Sequence, residues 1–518
     1  MAELTDRPFP PGSYPVVVVG SGPGGLQISY CLSRLGIGHA VLSADDAPGG
    51  MFRRWPFFQR LLSWTKPFAP VARTDPAYER YDWNSLLAEE PENQALMAAI
   101  MDGTSYFPSR PEMERNLETF AERTGMKVRY GCRWTATRRE EGADGVTFVV
   151  ETSDGEYRAG SVIFAVGLAE PFKPQTPGIE LAAHYAETRA AETYADKRIF
   201  IIGKQNSGFE LASGLLQWAR RIYIVSPSPA KLSVNTRSLV GIRARYVQPF
   251  EDHVLGGGVA IVDAAIQGIE RGGDRAPLVV RARPTAGGDE MTFEVDEVIA
   301  ATGFVTPLLD LPALGVATVG QTRLPAQTPY WESASVPGIF FAGTISQGAA
   351  GLKKHGQPAN SGAVHGARYN ARVLARHIAK TRGLGNTSTE PTGPAIPPDR
   401  LVDFLTAELE SSPDLWHQRA YLARVIGFDP DVGAVDRGVV PLAAFVDGTG
   451  DDGRGDALSL TIEADGTGSI YPVVYTRRGG SVEEHVFEPD PLLRYDTSAV
   501  RTKLEEIAAG LRLSASAG

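Results

Sequence analysis

Apolar residues recur at two different spacings along the chain, and the switches between them mark its elements. Residues 15–36 read PVVVVGSGPGGLQISYCLSRLG. Four β-branched valines, stiff at χ1 and bounded by Pro15 and Gly20, predict a short strand buried on both faces. A glycine turn follows, and then helical spacing to about Leu35. Residues 38–42 predict a second strand, and residues 111–123 a helix with Met113, Leu117 and Phe120 on one face. From 126 to 167 apolar and polar positions alternate and are split by Asp-Gly turns, which predicts a three-stranded layer. The last apolar run there, 162–167, reads as a separate buried strand that returns to the glycine turn.

Residues 197–225, KRIFIIGKQNSGFELASGLLQWARRIYIV, repeat the opening order of strand, turn, helix and strand. Arg281 and Arg283 lie on a strand pair leading to a strand that ends in Thr302-Gly303. A last buried strand at 336–344 opens on a glycine-rich loop and a long helix, about 360–380. Residues 381–399 are rich in Gly, Pro, Ser and Thr and read as a linker. Beyond it a helical pattern gives way to alternating strands, a small α+β unit with no chemical signature.

A strand, a glycine turn and a helix in succession form a phosphate cradle. Gly20, Gly22 and Gly25 let the chain turn tightly, approach a pyrophosphate and pack helix on strand, and the helix N-terminus points at the anion. Two such units predict an α/β fold with two Rossmann-like dinucleotide-binding domains, the second inserted in the first. The first would take residues 1–190 and 311–385 and the second 191–310. Residues 386–399 would link them to the α+β domain at 400–518. The usual carboxylate after the second strand is replaced by Ser43, with Asp45 and Asp46 close enough to substitute. In the second turn, Gly203 to Gly208, Gln205 stands at the second glycine position. Ser226 ends the next strand, and Ser228, Lys231 and Arg237 beyond it favour a 2′-phosphate, hence NADPH.

Length, charge and sulfur narrow the chemistry. At 518 residues the chain exceeds one core, and a net charge of −10 argues against nucleic acid or an anionic membrane as partner. No run approaches the ~18 apolar residues of a membrane span. The start, MAELTDRPFPPG, lacks the basic and apolar segments of a signal peptide, so a cytoplasmic protein is expected. Cys31 and Cys132 are the only cysteines and no CxxC occurs, which removes a zinc cluster and a dithiol relay.

The paired turns, the Ala-Thr-Gly strand end and the late FAGT strand make residues 14–380 resemble the two-dinucleotide-domain flavoproteins. These include flavin-containing monooxygenases, N-hydroxylating monooxygenases and disulfide reductases. RYDWNSL (80–86), Phe107-Pro108 and SGAVHGARYN (361–370) are similar to the FAD-dependent oxidoreductase-domain proteins typified by the endoplasmic-reticulum flavoprotein associated with degradation. The resemblance implies FAD phosphates over Gly20, Gly22, Pro23, Gly24 and Gly25, and a ribose near Ser43 or Asp45. It implies a flavin ring against Gly50, Met51, Trp64 and Lys66, with Arg133, Ala165, Gly167, Gly343 and Thr344 completing the site. Thr344 stands where most such proteins carry Asp. The long helix would aim its N-terminus at the flavin's N1–C2=O edge. NADPH would take Gly203, Lys204, Gln205, Asn206, Ser207, Gly208, Ser226, Lys231, Arg237, Thr302 and Gly303.

Without a dithiol, oxygen is the expected electron acceptor, through a flavin C4a-hydroperoxide in a dry pocket. The FxGxxxH pattern of Baeyer–Villiger and flavin-containing monooxygenases does not occur. The expectation is therefore an NADPH-using monooxygenase that N-hydroxylates a small acidic or polar amino acid. Its carboxylate would be gripped by arginine. Candidate substrate residues are Arg53, Arg243, Arg245 and Lys354, and candidate catalytic residues Lys353, His355 and Arg54. A homodimer is compatible with this reading. The alternatives are an FAD-dependent reductase without oxygen insertion and a flavoprotein scaffold binding a partner through residues 400–518.

Overall fold

The computed structural model describes residues 7–55, 60–143, 145–236, 241–273, 276–321, 323–356, 359–386, 393–449 and 456–515. The valine strand, Gly12–Val19, runs between His39–Leu42 and Gly155–Phe164, parallel to both. Val16, Val17 and Val18 have no exposed surface, as expected for a strand covered on both faces. Trp134–Gly142, Gly145–Thr152 and Gly155–Phe164 form the predicted antiparallel layer. The apolar run at 162–164 is not a separate strand. It is the second half of Gly155–Phe164, which leaves its antiparallel partner and takes Ile339–Phe341 as a parallel one. No turn residue interrupts it at Gly160, so one strand serves both layers.

Helix Pro23–Arg34 begins with proline in its first turn, where no backbone donor is lost. Leu26, Ile28 and Leu32 share one buried cluster with Leu374, Ala375 and Ile378 of helix Val364–Arg382. Each such side chain contributes roughly 1.5–3 kcal/mol relative to exposure. The long helix starts later than predicted, because Asn360–Gly362 form a separate 3₁₀ turn ahead of it.

The second sheet orders its strands Met291–Val295, Leu278–Pro284, Val259–Arg271, Arg221–Ser226, Arg198–Ile202, Glu297–Ala300 and Ala183–His184. The chain thus enters it at Ala183, ahead of the predicted boundary. A third sheet of six strands carries the C-terminal unit, with helices Leu401–Ser411, Pro413–His417 and Ser498–Ala515. Its edge strand Ala395–Ile396 pairs with Gly433–Pro441, inside the stretch read as linker; residues 387–392 lie outside the described residues. Among the described residues no helix is long and apolar enough to cross a membrane.

Candidate active site

A cavity of about 610 Å³ opens at the carboxyl ends of the first sheet's parallel strands and continues to the start of helix Asn206–Leu215. That size lies within the range of cofactor sites. Its floor is made where three loops meet glycine to glycine. Gly20 has φ +115°, and a Cβ there would stand 2.5 Å from Ala165 O. A Cβ on Gly24 would stand 2.3 Å from the Cα of Gly343. Only bare backbone fits, which leaves N–H groups at a helix N-terminus facing the cavity, the surface a pyrophosphate needs.

Sixteen of the expected residues face this cavity. Gly20, Gly22, Pro23, Gly24, Gly343 and Thr344 form its floor, and Gly50 and Met51 one wall. Ser43, Asp45, Arg54 and Arg133 stand at one end, Ala165 and Gly167 beside them, and Asn206 and Ser207 at the other end. Ser43 Oγ accepts from Ser21 Oγ at 2.7 Å and from the Asp45 N–H. Arg54 donates to Asp45 Oδ1 at 2.6 Å. Gly25 lies behind the floor, where a Cβ would meet Gly20 O at 1.9 Å. Its role is helix–strand packing.

Several expectations are corrected. Trp64 packs at a tilt against Trp83, ring centroids 4.8 Å apart, and Lys66 is exposed, and neither lines the cavity. Lys354 is ion-paired to Glu463 and Glu484, and His355 Nε2 meets the Tyr471 hydroxyl at 2.8 Å. Both are held against the C-terminal sheet, and Lys353 beside them is exposed. Arg53 is taken up by Glu118 at 2.7 Å. Arg245 donates to Leu61 O and lies over the Phe107 ring, and Arg243 stands outside the cavity lining. The buried Lys204 turns beneath the sheet to Asp263 and Val262 O. Gly203, Gln205, Gly208, Ser226, Lys231, Thr302 and Gly303 also lie off the lining, and Arg237 is outside the described residues.

The structure adds residues with weak sequence signals. Arg60, Leu61, Tyr185, Glu210, Tyr246 and Phe304 close the far end. Tyr185 donates to Glu210 Oε2 at 2.6 Å, Tyr246 to Arg60 O, and Phe304 stacks on Trp55 at 4.3 Å. Gly362, Ala363 and Val364 bring the N-terminus of the long helix to the wall, as expected for it. Arg368, inside the SGAVHGARYN stretch, lines the cavity and donates to Ser85 O and Asp82 O at 2.6 and 2.7 Å. Behind it His365 is buried and stacks on Trp83 at 4.1 Å, and burial drives its pKa well below the ordinary value, so the ring is neutral.

The sulfur atoms are placed apart and kept protonated. Cys132 lies at the adenosine end, donates to Asp154 Oδ1 at 2.9 Å, and burial pushes its thiol up to about 11. Cys31 is enclosed in the first helix beside Gln27, and burial raises it too. Neither carries the lowered pKa of an exchanging thiol. Among the described residues no cluster of His, Cys, Asp or Glu suits a metal ion.

The sequence profile of the pyridine nucleotide-disulphide oxidoreductase family matches residues 17–343. The chain belongs to that family. The oxidoreductase is 26% identical over 442 residues to FAD-dependent oxidoreductase domain-containing protein 2 of Mus musculus, covering 79% of this chain and 64% of that protein. It therefore spans just under two thirds of that relative's length. Bacillithiol disulfide reductase Bdr (YpdA) from Staphylococcus aureus is 15% identical at a TM-score of 0.54, covering 71% of this chain and 99% of that one. Kutzneria sp. 744 ornithine N-hydroxylase is 16% identical at a TM-score of 0.51, covering 72% and 100%. One fold thus hosts a reductase and an oxygenase. The glycine floor and the helix N-terminus present the backbone that a dinucleotide's phosphates need.

Proposed function

We propose that the oxidoreductase is an NADPH-consuming monooxygenase that passes its electrons to molecular oxygen. The observation that carries this reading is the sulfur arrangement: two cysteines in the whole chain, one inside a helix, the other bonded to Asp154 with a raised pKa. A dithiol relay needs a thiolate beside the flavin, and this chain supplies none. When bound, FAD accepts a hydride and activates oxygen. The chain's own part is to bind, orient and exclude water. Gly20 to Gly24 would hold the phosphates, and Gly362 to Val364 would offer N–H groups to the flavin. Leu61, Tyr246, Phe304 and Trp55 cover the far end.

The finer reading is N-hydroxylation of a small amino acid, with its groups reassigned. Arg60, which also meets Glu112 at 3.5 Å, and Glu210 are charged side chains lining the covered end, and we assign the substrate contacts to them in place of Arg53, Arg243, Arg245 and Lys354, which do not line the cavity. Arg60 would face a carboxylate, and Glu210 would hold the amine and take its proton. Anaerobic NADPH should bleach the yellow enzyme, and admitted oxygen should be consumed, with peroxide leaking when no amine is present. Oxygen uptake that no amine alters, beside fast reduction of quinones or disulfides, would overturn the proposal.

A further inference from the structure

The C-terminal unit reads from sequence as a separate module, yet it inserts a side chain into the frame of the cavity. Gln418, fully buried, follows helix Pro413–His417 and enters behind the long helix. Its Nε2 donates to Ser361 Oγ at 2.9 Å, to Gly366 O at 3.2 Å and to Asn370 Oδ1. Asn370, also buried, donates through Nδ2 to Ser361 Oγ at 2.9 Å and to Ser346 Oγ at 3.0 Å. Ser361 belongs to the 3₁₀ turn Asn360–Gly362 that leads into the long helix, and Ser346 to the 3₁₀ turn Gly343–Gly348. Both turns line the cavity, the first through Gly362 and the second through Gly343, Thr344 and Gln347.

We infer that Gln418 is a positioning residue for the flavin: with Asn370 it fixes the spacing between the two turns and so the distance of the long helix's N-terminus from the ring. The acceptors Gly366 O and Asn370 Oδ1 require donors, which sets the Gln418 amide with its NH₂ toward them. A helix N-terminus stabilises an anion only at short range, within its first turn. Loosening the spacing therefore weakens the stabilisation of the reduced, anionic flavin more than that of the oxidised one. The same region is docked by independent contacts. His417 Nε2 donates to Glu79 O at 2.8 Å, and the Arg80 guanidinium lies 3.7 Å over the Trp416 ring. The Arg80–Trp416 contact touches neither turn, whereas His417 also accepts at its O from Asn360 Nδ2 of the first turn at 2.6 Å.

The inference rests on the flavin reading, and the test separates the two. Full-length Gln418→Leu keeps the side chain's bulk and removes its bonds. Compared with wild type, it should bind FAD about tenfold more weakly. Its midpoint potential should fall by about 30 mV, the two-electron equivalent of tenfold. Amide hydrogen exchange in the apoprotein should quicken at 343–348 and 360–366 together. Arg80→Met, which loosens docking only, should leave the potential at the wild-type value. An unchanged potential and exchange in folded, yellow Gln418→Leu overturns the inference, as does an equal shift in Arg80→Met. If Gln418→Leu does not accumulate, Asn370→Ser breaks the same chain of bonds from the other side and is read identically. A wild-type protein that takes up no FAD would overturn the flavin reading itself.

Discussion

The two dinucleotide turns share a backbone and differ in what surrounds it. Gly203 repeats Gly20: a Cβ on it would stand 2.4 Å from Ala301 O, where one on Gly20 stands 2.5 Å from Ala165 O. Gly208 repeats Gly25, with its Cβ 2.2 Å from Gly203 O. At these positions the fold itself forbids a side chain. The middle position differs. Gly22 faces Gly50 and, through Gly24, Gly343 closes over the first turn from the far strand, whereas the exposed Gln205 takes that middle position in the second. Glycines demanded by helix–strand packing are present in both turns, and those demanded by close approach of a ligand only in the first.

Gly24→Ala should break that contrast most severely. Its Cβ would collide with Gly343 backbone at 2.3 Å, costing about 3 kcal/mol or more and over a hundredfold in FAD affinity. Flavin released on filtration reads it, and a variant that stays yellow would refute the floor as described. Gly203→Ala should cost roughly 1–3 kcal/mol of stability from a backbone at φ +120° with no room for Cβ. It should spare FAD content, and calorimetry alongside flavin absorbance separates the two effects.

Acid should cost the first site more stability than the second. Burial holds His365 and His417, both behind the first site, well below their ordinary pKa, and lowers His184 at the second sheet less far. Each folded pKa lies below the unfolded value, so the unfolded chain binds more protons as pH drops. Stability is complete above about pH 6.5 and is lost on acidification below it. Denaturation midpoints and flavin retention at pH 7 and pH 5 check this. The smallest effect is expected from Gln205→Gly, which should lower KM for the nicotinamide dinucleotide by about threefold by admitting the backbone to the phosphates. An unchanged KM would mean that Gln205 already stands clear of them.

What the sequence made legible follows from the same distinction. The first cradle, the repeat and the long helix were readable because glycine and apolar spacing are local constraints. The partners of charged side chains were not. Lys354 and His355 read as loop cations near a flavin, but their acids, Glu463 and Glu484, lie over a hundred residues away on another sheet. Arg60, Glu210 and Phe304 escaped notice because no spacing rule links them; only the approach of two sheets does. Gln418 escaped for the same reason, hidden in a unit with no motif.

The sheltered thiols carry a consequence for endurance. An enzyme that handles oxygen is bathed in its own leaked peroxide, and sulfur is the first casualty wherever a thiolate is accessible. With Cys132 clasped by Asp154 and Cys31 walled inside a helix, the proposed monooxygenase would keep both thiols intact through many catalytic cycles.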